Sequence, residues 1–435
     1  MSMNFIQELS WRGHLHDCIP GTEEYLLANP SRAYIGFDPT SDSLHIGNLA
    51  SIMMLKFFQE CGHTPVALVG GATGMVGDPS GKSEERNLLS EEVLKHNVES
   101  IRKQLEQFLD FDPKLSNTAL MVNNYDWFKD IGFLNFLRDV GKYITVNYMM
   151  AKESVKKRIE GDTGISYTEF AYQLLQGYDF LHMYEHMDVR MQMGGSDQWG
   201  NLTTGTYLIG KKFGKDAKAF AATCPLVTTA DGKKFGKSEA GNKMWLDREK
   251  TSPYEFFQYF RQSSDDDAAK FIKIFSTKGR EELTSIIEEH LQDPGRGALQ
   301  IALAKEITER VHGKLALENA LILTEFLFSR NTTKESLSKL SPSQWQEVVK
   351  VSDTKQIAKA ELENGINIID LLVQLGITKS KGEARRAIEK DKSIRVNADK
   401  WEDIAGTITM NHSFHNKYMQ LQKGKKQKFI VELLS

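Results

Sequence analysis

Cysteine is nearly missing from this chain, with Cys18, Cys61 and Cys224 the only three in 435 residues. Their wide separation excludes a disulfide framework or a cysteine-built metal site, and predicts reduced, structural thiols. No apolar run approaches the ~20 residues needed to span a bilayer, and Glu8 and Asp17 stand where a signal peptide would be apolar. A cytoplasmic protein with no membrane partner is expected. Neither sign of charge dominates, since 55 Lys and Arg face 58 Asp and Glu for a formal net charge of -3. Any RNA binding must therefore come from local basic patches. Familiar nucleotide fingerprints are missing too. Gly77 sits one residue too close to Gly81-Lys82-Ser83 for a phosphate loop, Pro79 interrupts that cradle, and the spacing of Gly71, Gly74 and Gly77 is not that of a dinucleotide motif. His182 and His186 are four apart on a predicted helix but lack a third metal ligand, so no protein-bound metal is expected.

What is present is ordinary in bulk, 40% hydrophobic and 26% charged, as in soluble globular chains. The length suits roughly two to four domains. In the first half, strand-like runs (33–37, 66–70, 119–123 and 189–193) alternate with helical patterns such as Val98, Ile101, Leu105, Phe108 and Leu109. That alternation predicts an α/β fold, a parallel sheet with helices on both faces. Ligands of such sheets collect at the carboxyl ends of strands, where 36–40, 70–78 and 194–198 would fall. Residues 252–330 read as a helical bundle. Polar residues from Asn331 to Glu363, with Ser341-Pro342 among them, suggest a joint between domains. Beyond it, seven basic and three acidic residues lie between Lys379 and Arg395, and five lysines with no acid between Lys417 and Lys428.

Two short segments carry the chemistry. Asp38-Pro39-Thr40-Ser41-Asp42-Ser43-Leu44-His45-Ile46-Gly47-Asn48 joins a strand to an apolar helix, with small residues that admit a ligand to a helix N-terminus. Lys233-Lys234-Phe235-Gly236-Lys237-Ser238 is a glycine-hinged basic loop suited to a polyphosphate. These two segments resemble the paired signatures of class I aminoacyl-tRNA synthetases. Segments 70–74, 77–82, 146–152 and 194–201 also match, in order, the bacterial-type tyrosyl branch of that family. The similarity spans essentially the whole chain, and ordered agreement of six segments is highly specific.

The resemblance implies a Rossmann-like catalytic domain over 1–245 with a connective insertion at about 125–168 that holds a dimer interface. It further implies a helical anticodon-recognition domain at 246–335, a linker at 336–363 and a small α+β, S4-like RNA-binding domain at 364–435. The implied reaction activates L-tyrosine with ATP, releases pyrophosphate and transfers tyrosine to the 3′ end of tRNA(Tyr). ATP is then a substrate accompanied by Mg2+, the partners are tRNA(Tyr) and a second copy of the chain, and the alternatives are a tryptophan enzyme or an inactive RNA-binding relative. The attacking carboxylate is already ionised at neutral pH, so positioning and phosphate stabilisation must carry the rate without a general base.

By resemblance, Thr40, His45, Lys82, Arg86, Lys234 and Lys237 stabilise the phosphates. Gly36, Asp38, Gly47, Asn48, Gly195, Asp197, Lys237 and Ser238 contact ATP. Tyr34 and Asp179 hydrogen-bond the phenolic hydroxyl, Asp78, Tyr172 and Gln176 hold the α-ammonium, and Gln198 serves the substrate carboxylate. Lys379, Lys381, Arg385, Arg386, Lys390, Lys425 and Lys426 bind RNA. Tyr172, Gln176 and Asp179 share one face of a helix, which lets a single helix grip both ends of a tyrosine. Asn48 replaces the second histidine commonest in the first signature, and an amide supplies a donor but never a cation.

Overall fold

The computed structural model describes residues 4–78, 89–160, 164–230, 232, 235–236, 243–328, 332–424 and 427–434. By its contacts the chain divides into two compact units, Met1–Lys314 and Leu315–Ser435.

The first unit is built on six strands: β1 (Asp17–Cys18), β2 (Arg32–Phe37), β3 (Thr64–Val69), β4 (Leu120–Asn123), β5 (Val189–Gly195) and β6 (Phe220–Cys224), in the spatial order β1-β6-β5-β2-β3-β4. β2 pairs in parallel with both β3 and β5, and β6 in parallel with β5, whereas β1 runs antiparallel to β6. β3 and β6 are almost wholly buried, as strands covered on both faces must be. The expected parallel sheet is therefore present, with β1 and β6 added at one edge. Successive strands build outward from β2 on one side and return on the other, so the order reverses between β2 and β5. Open α/β sheets bind their ligands at such a reversal.

Three helices frame that point: α1 (Ile46–Glu60), α2 (Tyr167–His186) and α3 (Trp199–Phe213). α1 buries ten residues, including Ile52, Met53, Phe57 and Phe58. α2 is set close to α3 because Gly177 and Gly205 leave room, where a Cβ on Gly205 would stand 2.8 Å from the Phe180 ring. The described residues of the insertion 125–168 include four short α-helices, Tyr125–Phe128, Phe133–Asp139, Val146–Met150 and Glu153–Ile159. Helices Pro253–Arg261, α4 (Asp265–Phe275), Arg280–Gln292 and Ala298–His312 follow as the predicted bundle.

The second unit departs from the expected boundaries. Residues 336–363 are not a linker: they form a helix (Pro342–Val351) and a strand (Thr354–Ala358) that pairs in parallel with Gln427–Leu434. The helix Lys314–Phe328, expected with the bundle, also belongs here, since Phe326 packs on Trp345 and Trp345 stacks on Phe414 and Tyr418. Polar composition hid these elements because each buries only a few residues, Trp345 and Val348 in the helix and Ile357 in the strand. The five-stranded sheet packs on helices through Ile368, Leu371, Leu372, Ala384 and Ile388, which bears out a small α+β domain.

Candidate active site

Gly36, near the carboxyl end of β2, is exposed and Asp38 follows the strand. Asp38 Oδ1 accepts from Thr73 Oγ1 at 2.7 Å and Oδ2 from Tyr172 Oη at 2.7 Å. Thr73 Oγ1 accepts in turn from Asn124 Nδ2 at 3.1 Å, and the same amide donates to Asp179 Oδ2 at 3.1 Å. Trp127 Nε1 completes the run by donating to Asp179 Oδ1 at 2.9 Å. One chain of hydrogen bonds thus links the ends of β2, β3 and β4 to the face of α2. Gly70 is required there, because a Cβ would collide with both Asp38 Oδ1 and Thr73 Oγ1.

A second cluster comes from the ends of β3 and β5. Gln198 Nε2 donates to Asp78 Oδ2 at 2.7 Å, and Asn201 Nδ2 to Gln198 Oε1 at 3.2 Å. Gln176 Nε2 reaches Gln198 Oε1 at 3.5 Å from α2, and Gln176 Oε1 is buried without a hydrogen-bond partner among the described residues. The three loops expected at one crevice do converge, and Tyr172, Gln176 and Asp179 share the helix face assigned to them. Asp38, expected beside the nucleotide, accepts through both carboxylate oxygens, from Thr73 and from Tyr172.

Burial governs the ionisation of this site. It pushes the Asp179 carboxyl up to about 8, against the two N–H donors that pull it back. Tyr34 is fully buried beside Phe180, its hydroxyl has no partner among the described residues, and burial followed by the Asp179 charge holds it well above the usual phenol range. A buried polar atom without a partner carries a desolvation cost of about 1–3 kcal/mol that a polar ligand removes.

His45 caps the N-terminus of α1. Its Nδ1 accepts from Gly47 N at 3.0 Å and Asn48 Oδ1 accepts from His45 N at 3.1 Å, a reciprocal capping box. Burial, then the Lys243 charge, pushes the imidazole down to about 4. A neutral ring whose Nδ1 accepts must carry its proton on Nε2. Asn48 commits its carbonyl oxygen to the cap and keeps its amide hydrogens as donors. Any residue but glycine at 47 would place a Cβ 2.8 Å from His45 Cε1. The segment after the basic loop pairs with this helix start: Ile46 N donates to Met244 O and Leu246 N to Leu44 O, both at 2.9 Å. Phe235 is buried among Tyr259, Phe260, Phe271 and Phe275. Thr40 is exposed in the β2 loop, and a Cβ on Gly195 would meet Asp197 Oδ1 at 2.7 Å. Lys82, Arg86, Lys234, Lys237 and Ser238 lie outside the described residues.

In the second unit, Lys379, Lys381, Arg385, Arg386 and Lys390 are all exposed on or beside α5 (Lys381–Glu389), whose other face buries Ala384, Ala387 and Ile388. Lys417 pairs with Glu432 and Lys423 with Glu383, while Lys428 donates to the Phe326 carbonyl. Lys425 and Lys426 lie outside the described residues. Thr73, Asn124, Trp127 and Asn201 are site residues that the sequence reading did not single out. Thr73 and Asn201 sat inside matched segments, and Asn124 directly follows a strand; nothing local marks Trp127.

Loops from three parallel strands meeting a histidine-capped helix at the reversal of a sheet define a Rossmann-like α/β protein with its candidate ligand site at that reversal. Residues 27–329 match the family model for class I tRNA synthetases (W and Y), and residues 349–431 that for the tyrosine–tRNA ligase SYY-like C-terminal domain. The chain belongs to the class I aminoacyl-tRNA synthetase family of the tryptophan and tyrosine enzymes. It is 52% identical to the tyrosine–tRNA ligase of Flavobacterium johnsoniae over 434 residues, covering 99% of this chain and 100% of that one. A C-terminally truncated mitochondrial tyrosyl-tRNA synthetase from Aspergillus nidulans superposes with TM-score 0.66 at 30% identity, over 75% of this chain and 94% of that one. A tryptophanyl-tRNA synthetase of Plasmodium falciparum, at 13% identity and TM-score 0.53 over 78% and 87%, shares the fold.

Proposed function

We infer that the chain is a tyrosine–tRNA ligase that forms tyrosyl-adenylate from L-tyrosine and ATP and then charges tRNA(Tyr). The carrying observation is the buried Tyr34 hydroxyl, which has no partner among the described residues, on a core shared with α2 and next to an Asp179 held by Asn124 and Trp127. A phenolic O–H donates to Asp179 and accepts from the Tyr34 hydroxyl, whereas phenylalanine leaves that hydroxyl without a partner at a cost set by its desolvation. An indole, which only donates, satisfies the acid and not the phenol. Asp78, Tyr172 and Gln176 hold the α-ammonium and Gln198 the carboxylate, which fixes the nucleophile for attack on the α-phosphorus.

Thr40 and the Nε2–H of neutral His45 donate to the phosphates as pyrophosphate leaves, with Lys82, Arg86, Lys234 and Lys237 supplying positive charge. Gly36, Asp38, Gly47, Asn48, Gly195, Asp197 and Ser238 line the nucleotide. Mg2+ arrives with ATP; among the described residues no group of three His, Cys, Asp or Glu side chains gathers to hold an ion. The exposed face of α5, with Lys425 and Lys426, grips the tRNA backbone. Phe133, Leu134 and Val146, exposed by 64%, 77% and 59% on the insertion, support a homodimer through that face. No helix among the described residues is long and apolar enough to cross a membrane, and the tRNA and ATP substrates point to the cytoplasm. Pyrophosphate exchange measured with each of the twenty amino acids tests the assignment: tyrosine alone should support it, and exchange confined to tryptophan would overturn it.

A further inference from the structure

Asp179 meets the substrate only if its carboxylate is turned correctly, and one of the two groups that turn it is an indole on a short surface helix. Trp127 is half-buried and donates through Nε1 to Asp179 Oδ1. What holds the indole plane is a ring from α2 itself. His182, one turn beyond Asp179, stacks on Trp127 with centroids 4.7 Å apart and planes at 18°. Its flanks are filled by Tyr178 at 5.9 Å and His186 at 4.6 Å. His182 Nδ1 is buried with no hydrogen-bond partner among the described residues, and burial, then the neighbouring His186, keeps the ring in its neutral form. The side chain therefore offers Trp127 a flat uncharged face.

We propose that His182 is a positioning residue for substrate selection, clamping Trp127 so that its N–H stays aimed at Asp179 and the carboxylate stays turned toward the phenol. This rests on the tyrosine reading of the site and deepens it. Hydrogen bonds weaken steeply with misalignment, so a freely rocking indole leaves Asp179 less well oriented without changing the nucleotide site. His182 and Asp179 lie three apart on α2, so acid and clamp move together, and Trp127 is fixed between them.

The test is pyrophosphate exchange by the full-length protein. His182→Ala should raise KM for tyrosine about five-fold, the size of one aromatic contact, and lower the preference for tyrosine over phenylalanine. KM for ATP and kcat should stay as they are. His182→Phe should restore the tyrosine KM because it keeps a flat ring, and His182→Leu, which fills the space without one, should not. That comparison carries the test if the alanine variant is unstable. In a Trp127→Phe background, where the N–H is gone, His182→Ala should add less than about two-fold. Equal effects on both substrates, failure of phenylalanine to rescue, or an undiminished effect without the indole would each overturn the inference. Wild-type exchange with tryptophan in place of tyrosine would instead overturn the substrate reading and this inference with it.

Discussion

At the scale of single residues, burial decides chemistry. Asp179 accepts two N–H donors and sits where water does not reach, so its exchange for asparagine replaces an acceptor pair with a group that cannot satisfy both donors and the phenol together. A buried polar group left unsatisfied costs about 1–3 kcal/mol; Asp179→Asn should accordingly raise KM for tyrosine by roughly ten- to a hundred-fold in pyrophosphate exchange with KM for ATP little changed. Gly70 bears on the same network from the backbone. Gly70→Ala forces a Cβ into the Asp38–Thr73 hydrogen bond, and the expected outcome is a loss of about 1–3 kcal/mol in denaturant unfolding, with weaker tyrosine binding. Tyr34, Asp179 and His45 were legible in the sequence because they stand in matched segments. Trp127 and Asn124 were not, because nothing in their neighbourhood states that they fold against a helix 52 and 55 residues away.

At the scale of elements, α4 acts as the platform for the basic loop. Its Asp267 accepts from Ala230 N at 2.8 Å and Lys270 donates to Thr228 O at 3.1 Å, which fixes the segment leading into the loop. Its Phe271 and Phe275 receive the Phe235 ring. The end of α4 is satisfied from outside by Arg12, which donates to Lys273 O in its last turn and to O of the capping residue Ser276 at 2.7 and 2.8 Å, as helix C-termini require. Phe235→Ala should therefore slow adenylate formation about ten-fold or more in a stopped-flow assay while leaving tyrosine Kd unchanged, because this ring packs on α4 and not on the residues that hold the amino acid. The periodic pattern foretold these helices, but which ring of the loop they receive depends on packing between segments about forty residues apart. In the second unit the same pattern failed for Pro342–Val351 and Thr354–Ala358, since elements that bury one or two side chains leave almost no period to read.

At the scale of the whole molecule, the two compact units suggest where activities separate. Residues 1–314 alone should retain tyrosine-dependent exchange and lose tRNA charging; loss of both would defeat that division. A cut at 363 strips Thr354–Ala358 of its partner strand and should yield a protein that unfolds less cooperatively than one cut at 314. Acid stability belongs to this scale too. His14 is fully buried, shares a hydrogen bond with Ala50 O, and burial pushes it down to about 4; His45 and His312 are depressed likewise, also chiefly by burial. The folded state binds fewer protons than the unfolded state between about pH 4 and 6.5, so stability present above 6.5 is lost as the pH falls toward 4. Asp179 acts in the opposite sense, with a contribution that fades as pH rises from the ordinary carboxylate range through about 8. The thermal midpoint should drop between pH 6.5 and 4.5, and His14→Gln should flatten that slope.

Alone, the amino-acid sequence determined the order of strands and helices, the two signature segments and the residue types able to hold a triphosphate and an amino acid, because these are written in local periodicity and short spacing. Tertiary structure decided which strand became the centre of the sheet, how Asp38 faced Tyr172, and how Trp127 and Asn124 came to orient Asp179. Those relations join residues dozens to more than a hundred positions apart, and only the closing of the sheet against its helices brings them within hydrogen-bonding reach.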